Sequence, residues 1–173
     1  KGTLVCSENG ISDKKIVTGV TSSSTDAKLT LKGIKDKPGV AAEILGVLAD
    51  NGINVDMIVQ NISDDRRTTD LTYTVPVDES DKAKKLMEDL SSNLSYKDLI
   101  VDSNISKISI IGVGMRSNAG VASQMFRVLS QNNINIDVIS TSEIKISVLI
   151  SRDLTERALN MLHEHFELGK ITE

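Results

Sequence analysis

Tryptophan is absent from this 173-residue chain, and the other aromatics are scarce, at two Phe and two Tyr. A nucleic-acid platform needs stacking rings and a positive face. With a net charge of −4 the chain has no basic excess either, which argues against nucleic acid as a partner. One cysteine, Cys6, has no second thiol for an internal disulfide. With no secretory leader evident, the expected compartment is a reducing cytoplasm. No apolar run approaches the roughly 20 residues needed to cross a bilayer, so no membrane partner is expected. The phosphate loop G-x-x-x-x-G-K-[ST] is missing. His163 and His165 lie two apart on a helical pattern and point to different faces, so they cannot share a metal. A first residue of Lys1 rather than Met implies a piece of something longer.

What is present is an ordinary globular composition, 39% hydrophobic and 25% charged, long enough for one or two domains. Its cores must be built from Val, Ile and Leu, which suits strands and thin α/β layers. The strongest signal is internal repetition. Gly39-Val40-Ala41 recurs as Gly120-Val121-Ala122, an offset of 81 residues. At the same offset Val47-Leu48 meets Val128-Leu129, Asn51 meets Asn132, and Ile53-Asn54 meets Ile134-Asn135. Asp56 then meets Asp137, and Ile58 meets Ile139. A period this long marks a duplicated domain rather than a solenoid.

Each copy reads as strand, helix, strand, strand, helix, strand. Ala27–Ile34 alternates as a half-buried strand. After the turn Asp36-Lys37-Pro38-Gly39, apolar residues recur at helical spacing from Val40 to Asn51, and Gly52 closes the helix. Ile53–Asn61 and Thr69–Val77 are β-rich and joined by the polar loop Ser63–Thr68. Ser80–Leu94 reads as one amphipathic helix, and a strand near Leu99–Val101 closes the unit. The second copy runs through Lys107–Val113, Val121–Asn132, Ile134–Ser140, Glu143–Ile150 and Leu154–Phe166. It lacks a closing strand, while a β-like segment stands unused before the first copy. An open sheet edge and an orphan strand answer each other. Ile16–Thr21 is therefore expected to complete the second sheet. The domains are expected at 27–102 and at 14–22 plus 103–173, with 1–13 a preceding tail.

Candidate chemistry concentrates at the first turn. Gly112-Val113-Gly114-Met115-Arg116-Ser117 is the nearest approach to a dinucleotide fingerprint, but Ser stands at its sixth position. A lone G-x-G is weak evidence for a nucleotide, and a tight strand exit is the plainer reading. The turn Asp36–Ala41 puts Pro in the first helical turn and leaves small residues over the backbone amides. Such a helix start accepts anions; it also reads as a plain helix entry with Asp36 forming the turn. The following strand brings Asn54 and Asp56 toward the same corner. Amides for a carboxylate, facing an acid for an ammonium, would make a receptor for a free amino acid. Asn135 and Asp137 repeat the pair.

These stretches resemble the ACT domains of aspartokinases. The resemblance rests on Gly33-Ile34-Lys35-Asp36-Lys37-Pro38-Gly39-Val40-Ala41, on Ile53–Asn61 and on Thr68-Thr69-Asp70. In the second copy it rests on Val113–Ser117 and on the run Ile139-Ser140-Thr141-Ser142-Glu143-Ile144-Lys145-Ile146-Ser147-Val148. It covers nearly everything from Ile16 to Leu168. It implies an α+β fold of two ferredoxin-like βαββαβ domains, antiparallel sheets with helices on one face. It also implies a regulatory region that binds L-threonine and/or L-lysine and represses an aspartate kinase domain. The effector would lie between the first domain of one chain and the second of another, in a homodimer.

Carried over residue by residue, Asp36, Gly39, Val40 and Ala41 match the family's loop and helix start. Asn54, Val55, Asp56 and Gln60 match the strand side. Val121, Ala122, Asn135, Ile136, Thr141 and Ser142 match the facing wall. Ser63 and Thr72 match positions tied to feedback control. No catalytic residue, metal or cofactor is implied for this segment; ATP and Mg belong to the kinase domain. The second loop, Asn118-Ala119-Gly120, departs from the pattern by lacking proline. Two other readings stay open: a stand-alone ACT dimerisation module, and an enzyme using the G-x-G turn for a nucleotide.

Overall fold

The computed structural model describes residues 16–62, 67–116 and 118–169. Two four-stranded antiparallel sheets form, each with helices packed on one face. The first contains β2 (Asp26–Lys35), β3 (Ile58–Ile62), β4 (Thr68–Pro76) and β5 (Asp98–Asp102), in the order β3-β4-β2-β5. The second contains β1 (Gly19–Ser23), β6 (Ile105–Ile111), β7 (Val138–Thr141) and β8 (Lys145–Ser151), in the order β1-β6-β8-β7. Alternation decides the faces. Ala27, Leu29 and Leu31 are buried while Lys28, Thr30 and Lys32 look the other way.

Helix α1 (Val40–Asp50) lays Val40, Ile44 and Leu48 on the first sheet. Helix α4 (Val121–Gln131) does the same in the second copy with Val121, Met125, Val128 and Leu129. The segment Ser80–Leu94 is not one helix. It divides at Leu90 into α2 (Ser80–Asp89) and the single turn α3 (Ser91–Leu94), which ends on a left-handed Ser95. The break lets Leu94 reach the same core as Ala83 and Met87. Helix α5 (Thr155–His165) covers the second sheet through Ala158 and Leu162.

The strands after α1 and α4 start later than their β-rich sequences suggest. Following left-handed Gly52, Ile53 is buried and its amide returns to Leu48 O at 2.9 Å. The chain must first plug the helix end into the core, and regular pairing begins only at Ile58. Ile134 repeats this beneath α4, with its amide 2.9 Å from Leu129 O. Two main cores result, one per copy, bridged by a small cluster in which Met57 of the first packs with Ile105, Leu149 and Val138 of the second.

Gly19–Ser23, rather than Ile16–Thr21, is the paired part of the N-terminal strand, in register from Gly19↔Ile111 to Ser23↔Lys107. Beside β6 it stands where β5 stands beside β2. The residues before it cross the G-x-G turn. A Cβ on Gly112 would lie 2.1 Å from the Ile16 carbonyl oxygen, and one on Gly114 would lie 2.8 Å from Ile16 Cα. Those glycines are spaced for a passing backbone, and Val17 is buried beyond them. The nucleotide reading therefore has a simpler replacement: the turn is a crossing point of the chain.

Candidate functional site

Both helix starts are built alike. Gly39 and Gly120 each hold φ near +94°, a conformation costly for other residues, and neither helix has a side-chain cap. Val40 N–H bonds the Lys37 carbonyl at 3.3 Å, and Glu43 N–H returns to Gly39 O at 2.9 Å. The amides between them have no acceptor within the helix. The helix start borders a cavity of about 400 Å³ lined by Asp36, Lys37, Pro38, Gly39, Val40, Ala41 and Gln60. Five of the expected residues, Asp36, Gly39, Val40, Ala41 and Gln60, thus meet in one place.

The second helix start opens on a larger cavity of about 580 Å³, where Val121 and Ala122 face Thr141, Ser142 and Glu143. Asn135 and Ile136 do not join them. They line another recess of about 560 Å³, with Phe126, Ile134 and the exposed Ile139 of edge strand β7. In the first copy Asn54 is exposed, and Val55 packs on the core edge.

Asp56 requires a correction. The expected frame sets its carboxylate opposite the helix start at Gly39–Ala41. The structure instead turns it to the second copy, where Lys107 Nζ donates a hydrogen bond to Asp56 Oδ2. Asp56 lines a separate cavity of about 440 Å³ with Lys107, Lys145, Ser140, Thr141, Ser142 and Ser147. The chain around Asp56 explains the turn. Its amide donates to Thr74 O at 3.1 Å and Met57 is buried in the bridging cluster, which aims the intervening side chain across the domain junction.

Lys107 also donates to Asp26 at 2.9 Å. Burial alone would lower its pKa, but the hydrogen bonds to Asp56 and Asp26 outweigh that and raise it. The reciprocal contact is made by Lys28 of the first copy, 2.6 Å from Asp137 and 3.6 Å from Asp102. Asp56 and Asp137, equivalent in the repeat, are thus each held by a lysine of the other copy. Lys28, Lys107, Lys145 and Asp26 were not among the residues expected from sequence. The available signal was a lysine on the polar face of the first strand in each copy, but a lysine there ordinarily reads as solvated.

Thr72, tied by resemblance to feedback control, shares a 3.0 Å hydroxyl bond with Thr30 on the polar face of the first sheet. Ser63 and Cys6 lie outside the described residues. Among the described residues no cluster of His, Cys, Asp and Glu could hold a metal ion, and no helix is long and apolar enough to cross a membrane.

Two family models, each described as an ACT domain, match residues 29–94 and 108–166. An aspartate kinase of Pseudomonas fluorescens is 46% identical over 168 residues, covering 96% of this chain and 40% of that relative. An aspartokinase of Helicobacter pylori is 42% identical over 174 residues, covering 98% of this chain and 42% of its own length. A solved structure of aspartokinase alpha and beta subunits superposes with a TM-score of 0.82 at 41% identity, covering 88% of this chain and 99% of that one. The chain belongs to the aspartokinase family. The ligand-free regulatory subunit of aspartate kinase from Thermus thermophilus agrees, with a TM-score of 0.82, 36% identity, and 88% and 99% of the two chains covered.

As an aspartokinase segment, the chain is the regulatory part with two ACT domains. It spans about two fifths of the length of the curated aspartokinases it matches. In these terms the repeat is the pair of ACT domains, and the uncapped starts of α1 and α4 are equivalent corners of the two.

Proposed function

We propose that this region senses free amino acids, L-threonine and/or L-lysine, and represses an attached or associated aspartate kinase domain in feedback control. That domain would transfer the γ-phosphoryl group of ATP, with Mg, to the side chain of L-aspartate in the cytoplasm. Residues 1–13 would be the tail leading from it. The observation that carries the sensing reading is the cavity at Asp36–Ala41 with Gln60. Uncapped amides of a helix start suit a ligand carboxylate, and Asp36 and the Gln60 amide suit an ammonium or hydroxyl. The regulatory-subunit relatives support the same direction.

A homodimer fits this reading, because edge strands β3 and β7 leave Ile58, Ile62 and Ile139 exposed. A ligand held between two chains acts only through differential affinity for two states. Moving a kinase from mostly active to mostly inactive takes about 5 kcal/mol of such preference, so two equivalent sites per dimer would help.

Calorimetry on the whole chain with L-threonine, L-lysine, L-methionine and L-isoleucine tests the proposal. Saturable binding of threonine or lysine with one of the others inert is the expected result. A folded dimer that binds none of the four would leave the bare dimerisation module standing instead.

A further inference from the structure

Strand β3 and its entry reach two places at once. Gln60 lines the helix-start cavity, and Met57, three residues earlier, is buried in the cluster that bridges the domains. Alternation sends them to opposite faces. Gln60 shares a face with Ile58, which pairs with the core residue Tyr73, and Met57 looks the other way. Among the described strands β3 has one neighbour, β4, and ladder pairing starts only at Ile58. The entry is held by a single residue of β4. Thr74 N–H donates to Met57 O at 3.1 Å, and the Thr74 carbonyl accepts the Asp56 amide at 3.1 Å. The carbonyl being taken, the Met57 amide donates instead to the Thr74 hydroxyl, at 3.1 Å. Thr74 is 1% exposed, so bulk water does not reach this bond.

We propose that Thr74 is a positioning residue for amino-acid sensing. Its hydroxyl fixes the face and register of β3, so that Gln60 meets the ligand in the helix-start cavity while Met57 stays seated between the domains. The inference rests on the amino-acid-sensing reading of that same cavity and adds how the ligand contact is linked to the domain junction. The physical reason is a count of acceptors. Two successive amides, of Asp56 and Met57, face one carbonyl of β4, the two-against-one arrangement of a bulge, which re-aims the side chains beside it. The hydroxyl is the second acceptor. Without it one buried amide is orphaned, and the entry relaxes toward pairing one amide at a time. A strand displaced by one residue turns every side chain to the other face, which takes Gln60 off the cavity and Met57 out of its seat. The two residues between them, Ile58 and Val59, are β-branched and stiff, so no hinge absorbs the change. Ligand and junction therefore bear on one strand entry, and each affects the other.

The test titrates L-threonine and L-lysine separately into the whole chain by calorimetry, with circular dichroism to confirm folding and residue-resolved amide exchange beside it. Thr74→Val keeps the branched shape and removes the acceptor. Whichever amino acid the unmodified chain binds should bind Thr74→Val about fivefold more weakly. Exchange should quicken at Asp56 and Met57 and stay unchanged in α1. Thr74→Ser restores the hydroxyl and should recover the affinity to within about twofold. A role in stability alone would lower the melting temperature of Thr74→Val and leave its affinity unchanged, which overturns the inference while sensing survives. In the unmodified chain, saturating ligand should slow exchange at the Met57 amide. No slowing there overturns the link, and this measurement decides if Thr74→Val does not fold. If the unmodified chain binds neither amino acid, the sensing reading falls and takes the inference with it.

Discussion

Lys28 Nζ lies 2.6 Å from Asp137 Oδ2, a contact between residues 109 apart in the chain and in different copies of the repeat. Lys107 and Asp56 make the reciprocal contact. The two ACT domains are thus joined by a small apolar bridge around Met57 and by two lysines, Lys28 paired with Asp137 and Lys107 with both Asp56 and Asp26.

The first prediction follows from that pairing. Asp137→Asn should lower stability by only about 1 kcal/mol, because Asp137 is one-third exposed and Lys28 retains Asp102 at 3.6 Å. Its larger effect should be on the joint. Hydrogen exchange should speed up along β2 and β7 while the helices over both sheets stay protected. Uniform loss of protection would show that the pair holds the folds rather than their orientation.

A second prediction concerns the crossing at Gly112. A methyl placed 2.1 Å from a backbone carbonyl oxygen cannot be absorbed by a rotamer change. Gly112→Ala should therefore undock Ile16 and Val17, weaken the β1 edge, and cost about 3 kcal/mol. Gly39→Ala is the control. No atom lies within 4 Å of its new Cβ, so only the positive φ is penalised, at about 1 kcal/mol. Urea denaturation of the two variants should rank them in that order.

Tyr73 supplies a third. Its hydroxyl is buried without a hydrogen-bond partner among the described residues, and burial, aided by nearby Tyr96, pushes its pKa well above the usual 10.0. In the unfolded chain the phenol loses its proton near that usual value, while in the folded chain it cannot. Stability from this group is therefore complete below about pH 10 and falls as pH rises beyond it. Lys107, raised from 10.5, acts with the same sign: its contribution is present below that pH and fades above it. Tyr73→Phe should raise stability at neutral pH by about 1 kcal/mol and flatten the alkaline decline. A decline of unchanged steepness would assign the alkaline loss to Lys107.

The fourth prediction addresses the helix-start cavity. Gln60→Ala removes the one strand side chain that lines it together with Asp36–Ala41. Loss of a neutral hydrogen bond of about 1 kcal/mol should weaken amino-acid binding about fivefold, read by calorimetry. Gln60 is exposed on an edge strand, so the melting temperature should not move. Unchanged affinity would place the ligand in one of the other cavities.

What the sequence by itself determined is what repeats locally. The 81-residue offset, strand alternation at Leu29 and Leu31, the helical stripe at Val40, Ile44 and Leu48, and glycines before two helices all act within a few residues of themselves. Their consequences, two ACT units with like helix starts, follow from periodicity and backbone sterics. Tertiary structure alone decided where the polar side chains of those units would go. Asp56 lies just before β3, in the segment expected to face the helix start, yet burial of Met57 in the bridge between domains turns it toward Lys107. Asn135 and Val121 occupy neighbouring elements of one copy but open on different cavities. The cause is the same in each case. Apolar periodicity fixes which face of an element is buried, but a charged group at a junction takes its partner from whichever distant strand the packing brings within about 3 Å.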